Sequence, residues 1–291
     1  MFATQFLHQT TEKHNNMKKT LLIAASFLSI MNLSCISNDW EDNSVNTTVV
    51  EEPIPGKFKK NVLIEDYTGT WCQFCPRVLH GIEQVELEHL DAFPVSIHRN
   101  GSASVIDPYN FPALALEQAN NISGYPAARL NRKIRWFNDS QTTEVKKLIK
   151  PNCNLGIALN STVSGGNIDL DVDIKFLENF SGLKLVVYVL EDGLIADQAN
   201  ATTFFGGVEL IPNFEHNHVL RSCLTDLVNG VALSGTTNGD TITQNFTIPV
   251  PSNIANVNNI SFVAFVIDSN GIAINVRGAK PNISQDFQVN L

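Results

Sequence analysis

The chain has 291 residues, 43% of them hydrophobic and 8% aromatic, enough for one large or two ordinary cored domains, which excludes a disordered tail. Lys and Arg total 20 against 29 Asp and Glu, a net charge of −9, so the basic footprint that a phosphate backbone demands is missing and no nucleic-acid partner is expected. Residues 61–150 sum to −1 and residues 151–291 to −8, and two compositions predict two domains.

Met17-Lys18-Lys19-Thr20 opens a charged segment, and Leu21 to Leu33 is a thirteen-residue apolar run, shorter than the roughly 20 residues that span a bilayer. The pattern predicts a signal peptide over residues 1–35, with Met17 as the initiator because sixteen residues precede it where an export signal should begin. Leu33-Ser34-Cys35 resembles a bacterial lipobox, although Asn32 stands where that box carries an aliphatic residue. The resemblance implies that Cys35 is lipidated and becomes the mature N-terminus, which makes a membrane the expected partner through this anchor. Asn38-Asp39-Trp40-Glu41-Asp42 resembles the signal that sends Bacteroidetes-type lipoproteins to the cell surface, and a solvated linker has the same composition. Residues 36–60, with Pro53, Pro55 and Gly56, read as a flexible tether.

Asn61 to Tyr67 is a strand-like run, followed by Thr68-Gly69-Thr70-Trp71-Cys72-Gln73-Phe74-Cys75-Pro76 and a helical pattern of Val78, Leu79, Ile82, Val85 and Leu90. At the first turn of a helix, unpaired backbone N–H groups and the positive dipole end favour a thiolate. Cys72 is therefore the candidate nucleophile. Cys75, one turn further in, would resolve the mixed disulfide. Pro76 fits the first turn, where its missing N–H is tolerated.

The Trp71-Cys72-x-x-Cys75 element resembles thioredoxin, with Gln73-Phe74 in place of Gly-Pro. That dipeptide tunes redox potential, and its departure leaves the direction of electron flow open, with reduction or isomerisation preferred. The resemblance implies three further roles. Asp66, six residues before Cys72, would shuttle the proton of the resolving cysteine. Pro126, in Gly124-Tyr125-Pro126-Ala127-Ala128-Arg129-Leu130, would be a cis-proline shaping the substrate groove. Trp71, Gln73, Phe74 and Tyr125 would line that groove for the thiols and disulfides of envelope proteins. Ala92 to His98 reads as the central strand, with His98 either a proton donor or an ordinary strand-end histidine. Residues 107–123 read as an inserted helix over the site, and Thr142 to Lys150 as the closing helix. A zinc half-site would need a second ligand pair at metal spacing, and Cys153 and Cys223 stand seventy residues apart without neighbouring cysteines. No metal and no cofactor are expected. A merely structural bridge is the alternative for Cys72 and Cys75.

From Leu155 onward the chain alternates strand-like segments with turns: 156–163, 168–176, 183–190, 241–250, 260–267 and 272–276. Ile168-Asp169-Leu170-Asp171-Val172-Asp173-Ile174 is apolar on one face and acidic on the other, and a solvated face explains the aspartates better than calcium. Glu215-His216-Asn217-His218 places two histidines at i and i+2, so a metal site is conceivable there. Cys153 and Cys223 form an even pair that an oxidising compartment would allow to bridge, and their reach depends on the fold. The 213–221 segment and its surroundings resemble the outer membrane protein 28-related family, surface lipoproteins of Bacteroidetes-type bacteria.

The expected architecture is thus an α/β thioredoxin-like domain over 61–152 followed by an all-β sandwich, Ig-like or jelly-roll, over 153–291. The expected function is thiol-disulfide exchange by a lipid-anchored protein of the outer membrane. The rival is a surface binding protein in which the sandwich carries function and the WCxxC region is support.

Overall fold

The structure, a computed structural model, describes residues 51–291; the signal peptide, Cys35 and residues 36–50 of the tether lie outside the described residues. The first half contributes β1 (Phe58–Lys60), β2 (Val62–Thr68), α1 (Pro76–Leu87), β3 (Ala92–His98), α2 (Leu114–Ala119), β4 (Ala127–Leu130), β5 (Ile134–Arg135), α3 (Thr143–Leu148) and β6 (Lys150–Cys153). The second half supplies β7 (Leu155–Ser164), β8 (Asn167–Phe176), β9 (Lys184–Glu191), β10 (Leu194–Ala199), β11 (Leu210–His216), β12 (Val219–Cys223), β13 (Val231–Ala232), β14 (Thr241–Pro249), β15 (Ile260–Ile267) and β16 (Ala273–Ala279).

One large sheet runs β16-β15-β9-β12-β3-β2-β4-β5, with β13 also paired to β9. The join between the two halves is β12, which lies parallel to β3 with Val219 opposite Ser96 and antiparallel to β9 with Val219 opposite Glu191. A second, three-stranded sheet, β14-β8-β7, packs on one face of it, and α1 and α3 pack over β2 and β4 on their outer side. Among the described residues no helix is long and apolar enough to cross a membrane.

The expected fold class is overturned. The described residues are β-rich, with helix confined to three segments of 12, 6 and 6 residues, and an α/β thioredoxin-like domain followed by a separate sandwich is not what they form. The physical reason lies in the edge of β3. A parallel strand pair leaves a row of unpaired N–H and C=O groups, and here β12 supplies the partners, bringing β9, β15 and β16 into the same sheet. Two sets of strands then share one hydrogen-bonded layer.

Both faces of that layer are covered, which explains the near-continuous apolar runs of β9 and β15. Leu185, Val187 and Val189 join Phe262, Ala264 and Val266 against the three-stranded sheet, whereas Val186, Tyr188 and Leu190 join Val263 and Phe265 on the opposite face with Leu63, Tyr67, Val95 and Ile97. In β8 the buried side is Ile168, Leu170, Val172 and Ile174. Its aspartates face outward and accept from the hydroxyls or amide of the neighbouring strand, Thr247 to Asp169 at 2.7 Å and Asn245 to Asp171 at 2.7 Å. They are a hydrogen-bonded strand face.

Glu65 is buried at the centre of the large sheet, where a lone carboxylate would be costly. Tyr188 from the second half donates to it at 2.9 Å, Tyr67 donates at 3.1 Å, and the buried Arg132 guanidinium stands 3.9 Å away. Burial pushes the Glu65 carboxyl up, opposed by the charge of Arg132 and by the two phenols. Tyr188→Phe, which keeps the shape and removes the donor, is expected to lower unfolding stability by about 1–3 kcal/mol with the slope unchanged, measured by urea denaturation.

Candidate functional site

The chemistry-bearing loop follows β2 directly. Cys72 and Cys75 are joined as a disulfide with their Cα atoms 5.4 Å apart, Cys75 caps α1 and Pro76 is its first residue. Cys75 is fully buried and Cys72 only 4% exposed, while Phe74 between them is 49% exposed. Trp71 folds back over the loop: its indole donates to the Arg99 carbonyl at 2.7 Å, and its ring meets the edge of Tyr125 at 5.6 Å between centroids. Gly69 makes that approach feasible, since a Cβ there would meet the indole nitrogen at 2.5 Å. The Tyr125–Pro126 peptide is cis, and Tyr125 donates its phenol to Glu117, which also accepts from Arg99 at 2.9 Å.

Two segments hold this loop from outside. Gln198, on β10, donates its side-chain amide to the carbonyl of Cys72 at 3.1 Å, the Ala199 N–H donates to Thr70 at 2.8 Å, and the Ala201 N–H donates to the Gln73 carbonyl at 2.6 Å. On the other side Asp107 accepts the Thr70 N–H at 2.7 Å, the Tyr109 N–H at 2.7 Å and a contact from His98 Nδ1 at 3.0 Å. Burial pushes the Asp107 carboxyl up, but its bond and charge partner His98 and the two backbone donors outweigh it, leaving the group below the usual range.

By strand alternation Asp66 shares the α1-facing side of β2 with Val62 and Ile64, whereas Glu65 faces the opposite layer. Asp66 is fully buried, and neither carboxyl oxygen has a hydrogen-bond partner among the described residues. Burial, reinforced by the negative charge of Asp139, raises its pKa well above the ordinary carboxyl range, so the neutral acid is favoured.

The histidines separate rather than converge. His216 is buried, its ring 5.1 Å from that of His98, and burial together with the neighbouring His98 charge lowers its pKa to about 4. His218, at φ 57°, turns away and meets Glu86 at 2.8 Å. No cluster of three His, Cys, Asp or Glu side chains that could hold a metal occurs among the described residues, so the conceivable 215–218 metal site is not assembled. His98 is a buried partner of Asp107 at the end of β3. Cys153 and Cys223 are free thiols, and burial pushes both up.

A family model described as outer membrane protein Omp28 matches residues 113–285. The chain belongs to the Omp28 family. Its location is the outer membrane. Among solved structures the fold is similar to that of HBP35 of Porphyromonas gingivalis, at a TM-score of 0.57 and 20% identity over 79% of this chain and 80% of that one. A protein of Agrobacterium tumefaciens aligns at a TM-score of 0.48 and 14% identity over 77% and 96% of the two chains. A domain of the outer membrane lipoprotein Omp28 from Porphyromonas gingivalis aligns at 0.31 and 21% identity over 46% and 92%. No curated protein matches the sequence.

The Omp28 match begins after residue 112, so it spans Tyr125, Pro126 and the 213–221 segment but not Trp71 to Pro76. In this Omp28-family chain, sequence reasoning missed Gln198 to Ala201, whose contacts cross about 125 positions of the chain and leave no local signal. Asp107 and Glu117 lay within the insertion expected over the site, but only the fold pairs them with Thr70 and Arg99. Because the folded-state pKa of Asp66 is raised, its favourable state is the protonated one. The associated stability is complete below the ordinary value of 3.8 and declines as pH rises through the raised one. Asp66→Asn is expected to remove that decline, so that its thermal midpoint gains on the parent progressively from pH 4 upward; parallel curves would refute it.

Proposed function

We propose that the protein is a lipid-anchored outer-membrane protein whose Cys72–Cys75 pair exchanges thiols and disulfides with proteins of the cell envelope. The observation that supports this reading is a disulfide closed at the first turn of α1 together with a buried carboxyl, unpartnered among the described residues, on the face of β2 that packs beneath that helix. Unsatisfied buried acids are costly and concentrate where a proton must be stored or moved.

In the exchange, the Cys72 thiolate of the reduced pair attacks one sulfur of a partner disulfide. The new Sγ–S bond forms as the partner's S–S bond breaks and its other sulfur leaves as a thiolate. Asp66, in the carboxylate form that burial disfavours and that therefore binds a proton readily, takes the proton of Cys75, whose thiolate attacks Cys72 Sγ, closing the bridge and releasing the second partner sulfur reduced. Two electrons pass to the partner, and a dithiol of lower potential reopens the bridge. Trp71, Phe74, Tyr125 and Pro126 form the surface that the partner meets, with Gln73 held by Ala201. The membrane is reached through acylated Cys35.

A second reading, a surface binding protein in which the bridge is a staple, draws on the near-complete burial of Cys72 under the Gln198 strap. Equilibration of the pair against thiol buffers separates the two. Exchange predicts a midpoint between about −120 and −270 mV and mixed disulfides trapped by Cys75→Ser, whereas a value below about −300 mV with no trapping leaves only the staple. Gln198→Ala, which releases the strap, is expected to speed reduction of the bridge by dithiothreitol, measured by alkylation of the freed thiols; an unchanged rate would mean the strap does not control access. Cys35→Ser is expected to move the protein from the membrane fraction to the soluble fraction on cell fractionation.

A further inference from the structure

Between Glu117 and Asp139 the chain carries no acidic residue and four basic ones, Arg129, Arg132, Lys133 and Arg135, in a protein of net charge −9. Two of the four are occupied: Arg132 stands beside Glu65, and Lys133 donates to the Ala119 carbonyl at 2.7 Å. The other two, with Arg77, line a cavity of about 290 Å³ next to Pro126, whose wall also includes Phe137 and Asp139.

The charges around this cavity do not cancel. Arg77 grips Asp139 through two bonds of 2.6 and 2.9 Å, which settles one guanidinium and the one carboxylate. Arg129 is 91% shielded from solvent by its 9% exposure, and its N–H groups reach only the carbonyls of Asn120, Asn121 and Ala128. Arg135 lies with its guanidinium 4.8 Å from the Phe137 ring centroid. Among the described residues neither Arg129 nor Arg135 has a carboxylate within 4.0 Å. Carbonyl partners fix a guanidinium in place and satisfy its donors without neutralising it, and a charge held out of water in this way is ordinarily paired. That leaves positive charge without a direct carboxylate partner along the cavity wall. The cavity is concave and sized for one or two side chains, with Phe137, 69% exposed, beside it as an apolar contact.

We propose that the pocket bounded by Arg129, Arg135 and Pro126 recognises a carboxylate-bearing polypeptide segment, so that acidic stretches of envelope proteins are the favoured partners of the neighbouring cysteine pair. That the bound segment belongs to an exchange partner rests on the reading given above; the binding itself does not. Arg77, two residues beyond Cys75, and Tyr125, in contact with Trp71, place the pocket beside the disulfide loop.

The test uses the full chain and cysteine-free fluorescent peptides of one length, rich in Glu, Gln or Lys with one Phe, followed by anisotropy. The Glu peptide is expected to bind about tenfold tighter than the Gln peptide, and the preference is expected to shrink between about 50 and 300 mM salt. Arg135→Glu, at an exposed position, is expected to abolish the preference, and Arg129→Gln to weaken Glu-peptide binding about tenfold. Should Arg129→Gln not fold, Arg135→Glu decides alone. Equal binding of the three peptides overturns the site. So does equal competition by free glutamate, which would mark a small-anion pocket, or capture of anionic-lipid vesicles with the same loss in Arg135→Glu, which would mark a membrane contact. Cysteine-containing versions then separate the two proposals. Selective binding without mixed-disulfide formation retains the pocket and removes exchange, whereas exchange at equal rates with acidic and basic peptides retains exchange and removes the pocket.

Discussion

The insertion of β12 between β3 and β9 is the constraint on which the rest depends. Strand edges cannot be buried unpaired, because each N–H and C=O left without a partner costs about as much as a lost hydrogen bond. Once Val219 sits opposite both Ser96 and Glu191, strands from the two ends of the chain must share one twist and one register. The apolar residues of β9 are then divided between two cores, odd positions against the three-stranded sheet and even positions against the layer that contains Tyr67. Neither core can be dismantled without exposing the other side of the same strands.

The same sheet gives two adjacent acids opposite fates. Glu65 and Asp66 are neighbours on β2, and the period of two sends them to different faces. On its face Glu65 finds two phenols and a guanidinium, one of them contributed by a strand more than 120 positions away. On the α1 face Asp66 finds none among the described residues, and burial favours its protonated form. The first acid is part of what joins the halves. The second is a group with no structural partner placed below the helix that carries the cysteines, and that asymmetry underlies the reading of the site.

The loop between β2 and α1 is likewise a product of both halves. Its backbone is fixed by Asp107 on one side and by Gln198, Ala199 and Ala201 on the other, so the accessibility of Cys72 is set by residues far away in sequence. Local pattern made several things legible: the strand before Cys72, the helix after it, the alternation of Ile168 to Ile174 and the extent of Ile260 to Ile267. It failed where segments are short or their partners distant. The ribbon of β10 and β11 gave no clear alternation, and His216 and His218 looked paired only because the positive φ at His218 cannot be seen in a run of letters.

By itself the sequence determined the cysteine spacing at the head of a helix, the apolar runs that become strands, the family membership and the outer-membrane address, because these depend on residue type and local period. Tertiary structure alone decided that the strands form one β-rich body and not an α/β domain beside a sandwich, since a period of two says that a strand has two faces and not which neighbour it will pair with. It also decided that, among the described residues, Asp66 is left without a hydrogen-bond partner and Arg129 and Arg135 line a cavity without a carboxylate within 4.0 Å, and that Cys72 is shielded from across the molecule. The shield over Cys72 comes from a contact that crosses 126 positions, and the other two depend on which faces and loops the fold brings together, which no local spacing encodes.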